Sequence, residues 1–182
     1  MSLKSTIYKA HVNVADMDRN VYVDQSLTLA KHPSETEQRM MLRILGWCLF
    51  ADENLQFTKG LCVDSEPELW KKTYCDTVEL WIELGLPDEK RIKRACSLSS
   101  RVVLLTYNDN ASSVWKKQSL NKLYPFANLT VINVQDEILD AAANEVERTM
   151  SIQATIEDEL VWFSIGDKVI SIKPDMWKRA DI

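Results

Sequence analysis

The stretch VELWIELGLPDEKRIKRAC, Val78 to Cys96, decides how the chain is read. From Val78 to Gly85 it alternates as a strand does: Val78, Leu80, Ile82 and Leu84 fall on one face, Glu79, Trp81 and Glu83 on the other. Pro87-Asp88 closes the extended run and opens a helix over Asp88–Ser99, with Asp88 near the positive end of the helix dipole. Ile92, Ala95, Cys96 and Ser99 lie on one side of that helix. Two carboxylates around a tryptophan, followed by a Lys/Arg-rich helix, mean either ordinary charge on a solvated sheet face or the remains of a metal-binding catalytic site.

Downstream, RVVLLTY (Arg101–Tyr107) is nearly all apolar, as in a strand buried on both faces. A helix over Ala111–Lys122, a strand over Leu129–Val134 and a short helix from Asp136 follow. Upstream, Gln56–Val63 and Leu69–Cys75 read as strands. In HPSETEQRMMLRILGW, Ser34 and Glu37 stand in capping-box spacing, which starts a helix at about Glu35. Met41, Ile44, Leu45, Cys48 and Leu49 form its apolar stripe. Thr6–Val14 and Val21–Lys31 flank ADMDRN as an N-terminal hairpin, and Thr149–Ile156, Glu159–Ile165 and Val169–Ile172 read as antiparallel strands. The order predicts an α/β domain: a mixed sheet covered by helices, with extra antiparallel strands at both ends. No Gly-rich phosphate loop follows a strand, which excludes a Rossmann site.

At 182 residues, 46% hydrophobic and 27% charged, the chain reads as a single domain over 1–182. The first residues lack the apolar core of a signal peptide, and no run of ~18 apolar residues occurs, so a cytoplasmic protein without membrane attachment is expected. Cys48, Cys62, Cys75 and Cys96 are widely spaced, form no CxxC and stand in apolar contexts, which predicts free buried thiols. Trp47, Trp115, Trp162 and Trp177 read as core or interface fillers. A net charge of −5 argues against a general nucleic-acid binder. Residues 86–125 nevertheless hold eight basic side chains against three acidic ones, a concentration that suits an anionic ligand or a solvated helix face.

Pairing Leu69–Cys75 with Val78–Gly85 through a turn at Asp76–Thr77 sets Trp70 opposite Glu83 and Lys72 opposite Trp81. Glu79 and Glu83 are then ~13 Å apart, too far to share one ion. Glu68 and Glu83 lie diagonally, with backbones ~7–8 Å apart, so long side chains can converge. That pair suits magnesium, which accepts one or two carboxylates and keeps waters and phosphate oxygens in its other positions.

The segments HPSETEQRMMLRIL, SEPELW and LWIELGLPDEKRIKRAC closely resemble the bacterial YaeQ family, and the likeness runs to about residue 155. That family is functionally uncharacterised. The resemblance implies a variant of the PD-(D/E)xK, restriction-endonuclease-like core. Its pattern of acids would fall on Glu37 (or Glu35), Glu68 and Glu83. The lysine after Glu83 is missing, since Gly85 stands there; Lys93 on the following helix is the substitute and Lys72 the second choice. Pro87-Asp88 is a decoy, because it follows the acidic element instead of preceding it.

The function implied is a magnesium-dependent phosphodiesterase or nuclease acting on nucleic acid. Glu68 and Glu83 would hold the metal, with Glu37 supporting it through a water and Lys93 on the phosphate. Two rivals use the same residues: a nuclease-like fold without activity that binds nucleic acid or protein, and a protein-binding regulator that uses its C-terminal strands. Each candidate also has a structural role open to it. Glu37 can complete the capping box, Lys93 can pair with Glu89, and Glu68, Glu79, Glu83 and Lys72 can form cross-strand ion pairs.

Overall fold

The computed structural model describes residues 4–59 and 63–181. In chain order these form β1 (Thr6–Asp16), β2 (Val21–Lys31), α1 (Glu37–Leu49), β3 (Leu55–Phe57), β4 (Leu69–Lys72), β5 (Val78–Leu84), α2 (Glu89–Leu98) and β6 (Ser99–Thr106). There follow α3 (Asp109–Leu123), β7 (Leu129–Asn133), α4 (Asp136–Ala143), β8 (Thr149–Glu157), β9 (Leu160–Ile165), β10 (Lys168–Ile172) and β11 (Asp175–Lys178). They fall into two compact units, Met1–Glu53 with Glu137–Pro174, and Asn54–Asp136 with Asp175–Ile182.

The first unit is built on a five-stranded sheet in the order β10-β9-β8-β1-β2. The predicted N-terminal hairpin is present, with an unbroken register from Thr6↔Lys31 to Asp16↔Val21. The C-terminal strands pair antiparallel among themselves, but β8 runs parallel to β1, from Lys9↔Thr149 to Asp16↔Ile156. Alternation along a strand reveals its buried face and not its non-local partner, so this pairing was not foreseen.

Helix α1 starts at Glu37, later than the capping-box reading placed it. Thr36 is the N-cap, its Oγ1 accepting the Arg39 N–H at 3.1 Å, while Ser34 Oγ lies 2.6 Å from His32 Nδ1. One nearby hydroxyl satisfies the orphan donor, and the Ser34–Glu37 box does not form. Every residue from Met40 to Cys48 is buried, so the helix is enclosed on all sides rather than along one stripe. Outside the helix, Glu35 is buried and its carboxylate receives Arg43 Nε at 2.9 Å, Arg43 Nη2 at 2.8 Å and Arg39 Nη1 at 3.0 Å.

The second unit carries a six-stranded sheet in the order β11-β7-β6-β5-β4-β3. The central strands β5, β6 and β7 are parallel, joined through α2 and α3, and the flanking strands are antiparallel. Trp81, Val102, Leu104, Leu129 and Val131 pack with Ile92 and Ala95 of α2 and Leu120 and Leu123 of α3. Ile82, Val103 and Leu105, with the opposite parity, are also fully buried. That double burial explains the apolar run after Arg101.

Several expectations are corrected here. Of the predicted Gln56–Val63 strand, Gln56 and Phe57 are extended, within β3; Thr58, Lys59 and Val63 are loop, and Gly60–Cys62 lie outside the described residues. β11 follows Pro174 as a short edge strand with no apolar alternation to announce it. The thiols are not uniformly buried: Cys48 is, Cys96 is half-buried, Cys75 is exposed, and Cys62 lies outside the described residues. Burial pushes the Cys48 thiol far up and the Cys96 thiol up to about 11. Trp47 is core, whereas Trp162 faces solvent. Among the described residues no helix is long and apolar enough to cross a membrane.

Candidate functional site

The β4–β5 hairpin pairs Leu69↔Ile82, Trp70↔Trp81 and Lys71↔Leu80, and then slips so that Lys72 meets Val78. Trp70 therefore faces Trp81, where the simple hairpin had set it against Glu83. The turn is the cause. Thr73 N–H donates to Thr77 O at 2.9 Å, Asp76 N–H donates to Thr73 O at 3.0 Å, and Asp76 takes φ +62. Over Leu69–Lys71 the displacement is two residues, an even number, so these side chains keep their face, and parity is lost only at Lys72. Glu68 stays beside Glu83, because its N–H donates to Ile82 O at 3.0 Å.

Glu68 and Glu83 are 6% and 7% exposed, which removes the solvated-face reading for both. Glu83 Oε1 accepts Arg91 Nη2 at 3.1 Å and Oε2 accepts Trp81 Nε1 at 3.1 Å. Burial nevertheless holds its carboxyl above the usual range. The Arg91 and Trp81 donors pull it down, and the charge of Glu68 adds a further push upward. The two carboxylates thus act on one another.

Arg91 comes from the first turn of α2, where Asp88 is the N-cap and its Oδ1 accepts the Arg91 N–H at 2.8 Å. Beyond Glu83, the guanidinium donates through Nη1 to Asp64 O at 2.6 Å and through Nη2 to Glu66 O at 3.1 Å. A cavity of about 560 Å³ opens beside it, lined by Asp64, Ser65, Trp81, Asp88, Lys90, Arg91 and Arg94. Trp115 of α3 steadies the entry to α2, its Nε1 donating to Pro87 O at 2.9 Å.

The structure sorts the sequence candidates. Glu68, Glu83 and the α2 N-terminus come together. Lys93 lies on the exposed side of α2, ~200° around the helix from Arg91. Arg91, and not Lys93, is the α2 cation that contacts Glu83. Lys72 pairs with Asp76 at 2.9 Å and sits over the Trp70 ring, and exposed Glu79 pairs with Lys71 at 3.2 Å. Glu37 is exposed in the first turn of α1, in the other unit. Gly85, where a lysine was looked for, has φ +103, a conformation L side chains avoid. Among the described residues no group of three or more His, Cys, Asp or Glu side chains is placed to hold a metal ion. Arg91 was readable from the spacing, since it follows the Asp88 cap by three residues and so faces back to the end of the strand.

The raised carboxyl of Glu83 gives a signed prediction. The folded state binds the proton more tightly than the unfolded one, so this group's contribution is fully present below the ordinary carboxylate value. It is lost as pH rises through the raised one. Urea denaturation across pH should find Glu83→Gln more stable than wild type at neutral pH, with the gap closing on acidification. A wild type that is the more stable at neutral pH would show that the Arg91 and Trp81 bonds outweigh burial.

The family model described as YaeQ protein matches residues 1–174. The chain is 51% identical over 179 residues to the uncharacterized protein YaeQ of Escherichia coli (strain K12), covering 98% of this chain and 99% of that one. It is 50% identical to the Salmonella typhi counterpart over the same length. The YaeQ crystal structure from Xanthomonas axonopodis pv. citri superposes with a TM-score of 0.93 at 37% identity, covering 96% of this chain and 98% of that chain. The Pseudomonas syringae YaeQ structure gives 0.92 at 30% identity, covering 97% and 98%.

Proposed function

We propose a function for this chain, which belongs to the YaeQ family: a nuclease-like phosphodiesterase site, assisted by a divalent cation, at the mouth of α2. The observation that carries it is Glu83, a buried carboxylate pushed up by burial and by Glu68, and held by Arg91, which lines a cleft with Lys90, Arg94, Asp64 and Asp88. A carboxyl shifted by burial and by a neighbouring charge, beside a cleft, is a candidate functional group.

The donor set fits magnesium in its modest requirements: two buried carboxylates, mutually repelling, on adjacent chain segments, beside a cavity with room for water and phosphate. Glu68 and Glu83 would hold the ion, which when bound polarises a phosphate oxygen and lowers the pKa of water. The Trp81 Nε1 bond fixes Oε2 and so orients the carboxylate. Lys90 and Arg94, one helical turn apart and both lining the cavity, supply fixed positive charge for phosphate oxygens. Arg91 takes the place of the lysine that the PD-(D/E)xK kinship implies. Its guanidinium does not deprotonate, so it stabilises charge and transfers no proton.

A second reading, a metal-free nuclease-like module that binds nucleic acid, draws on Gly85 and on the cation already seated at Glu83. Calorimetry with magnesium and manganese, joined to hydrolysis of generic DNA and RNA, separates the two. Metal binding and hydrolysis, both lost in Glu83→Gln, are expected. Metal-independent binding that weakens steeply with salt and in Lys90→Ala or Arg94→Ala favours the module. Neither result would remove both readings.

A further inference from the structure

We propose that Arg91 is a positioning residue that stands in for the cation at Glu83 and releases the Asp64–Glu66 loop when a divalent ion takes over that carboxylate. The inference rests on the proposed site and adds how that site is opened.

One guanidinium serves two clients. Nη2 donates to both Glu83 Oε1 and Glu66 O at 3.1 Å, and Nη1 donates to Asp64 O at 2.6 Å. The group is a rigid planar fork, so these bonds cannot be broken independently. A divalent ion at Glu83 repels the guanidinium, and any swing away from Oε1 also draws the donors from the two loop carbonyls. Asp64 and Ser65 line the cavity, so the loop that loosens is part of its wall. Beyond the loop the chain is anchored separately. Thr58 N–H donates to Glu68 O at 3.0 Å, and Thr58 Oγ1 donates to Pro67 O. The release is therefore confined to Asp64–Glu66, and Glu68 keeps its place beside Glu83. Without an ion, Arg91 pairs with Glu83 and holds Asp64 and Glu66 in place along the cleft wall. With one, that part of the wall loosens.

Amide hydrogen exchange reports this without reference to turnover. The Glu66 N–H donates to Val63 O at 3.2 Å and is a local probe of loop closure. Manganese added to the full-length protein should speed exchange at Glu66 about tenfold, the loss of charge-assisted bonds. Arg91→Gln should exchange fast with or without manganese, and calorimetry should find it binding manganese about tenfold tighter once the competing charge is gone. Manganese that binds wild type through Glu83, by the Glu83→Gln control, and leaves Glu66 exchange unchanged would overturn the coupling and leave the proposed site standing. Weaker manganese binding by Arg91→Gln would do the same. Manganese binding to neither wild type nor Arg91→Gln overturns both. Should Arg91→Gln fail to fold, the wild-type comparison with and without manganese still decides.

Discussion

Replacing Glu35 by alanine should cost about 3–5 kcal/mol of folding stability, because it removes the carboxylate that faces the buried Arg43 guanidinium. The Glu35 side chain is 2% exposed and that of Arg43 6%, and the pair is bidentate. Arg39, four residues on, adds a third charge-assisted bond to the same carboxylate. Arg43 also donates to Ala30 O at 3.1 Å, a neutral acceptor that does not replace the anion. Glu35→Gln, which keeps an acceptor and loses the charge, should cost less than the alanine change. Replacing Glu35 and Arg43 together by leucine and methionine should recover much of the loss, since well-packed apolar pairs often match buried ion pairs. Urea denaturation measures all three. A loss below about 1 kcal/mol for Glu35→Ala would place the pair with exposed salt bridges and sink the argument. The pair also bears on function: Glu35 was the alternative third acid for the metal site, and its charge is already matched by two arginines in its own unit.

How far the residues disclosed this arrangement depends on whether the controlling interaction is local. The β1–β2 hairpin and strands β5 and β6 follow from alternation or continuous apolarity within each segment. That Glu68 lies beside Glu83 was legible because pleat parity over Leu69–Lys71 survives an even displacement of register. What escaped was set elsewhere. The parallel β1–β8 pairing depends on a partner over a hundred residues away. The slip between Lys71 and Lys72 depends on backbone torsions at Asp76 that composition does not encode. The α1 start was misplaced because Ser34 and Glu37 satisfy the capping-box spacing, while Thr36 lies nearer the donor it caps. Arg91 was passed over for Lys93 by matching residue type, when its position in the first turn of α2 was the better physical guide. Gly85 was recognised as a departure; its φ of +103 supplies the reason a lysine does not fit there.

Trp81→Ala should lower stability by about 3–5 kcal/mol, the cost of emptying a large aromatic site in a packed core. Trp81 is 4% exposed and shares its cluster with Ile92 and Ala95 of α2 and with Val102 and Leu104 of β6. It is also the donor to Glu83 Oε2, and Trp81→Phe separates these two roles. Phenylalanine keeps most of the apolar contact and removes the N–H, so a buried carboxylate loses one of its two donors. The folded state then holds the Glu83 proton still more tightly. The loss should therefore be about 1–3 kcal/mol at neutral pH and shrink as pH falls and the carboxyl is protonated. In Trp81→Ala the cavity cost remains at every pH, with the same pH-dependent part added. Denaturation curves for both variants at neutral and acid pH provide the test. A pH-independent loss in Trp81→Phe would mean that the indole N–H does not support the ionised carboxylate, and Trp81 would then be core alone. A loss that grows toward neutral pH makes the same tryptophan both the filler beneath α2 and the group that aims Glu83.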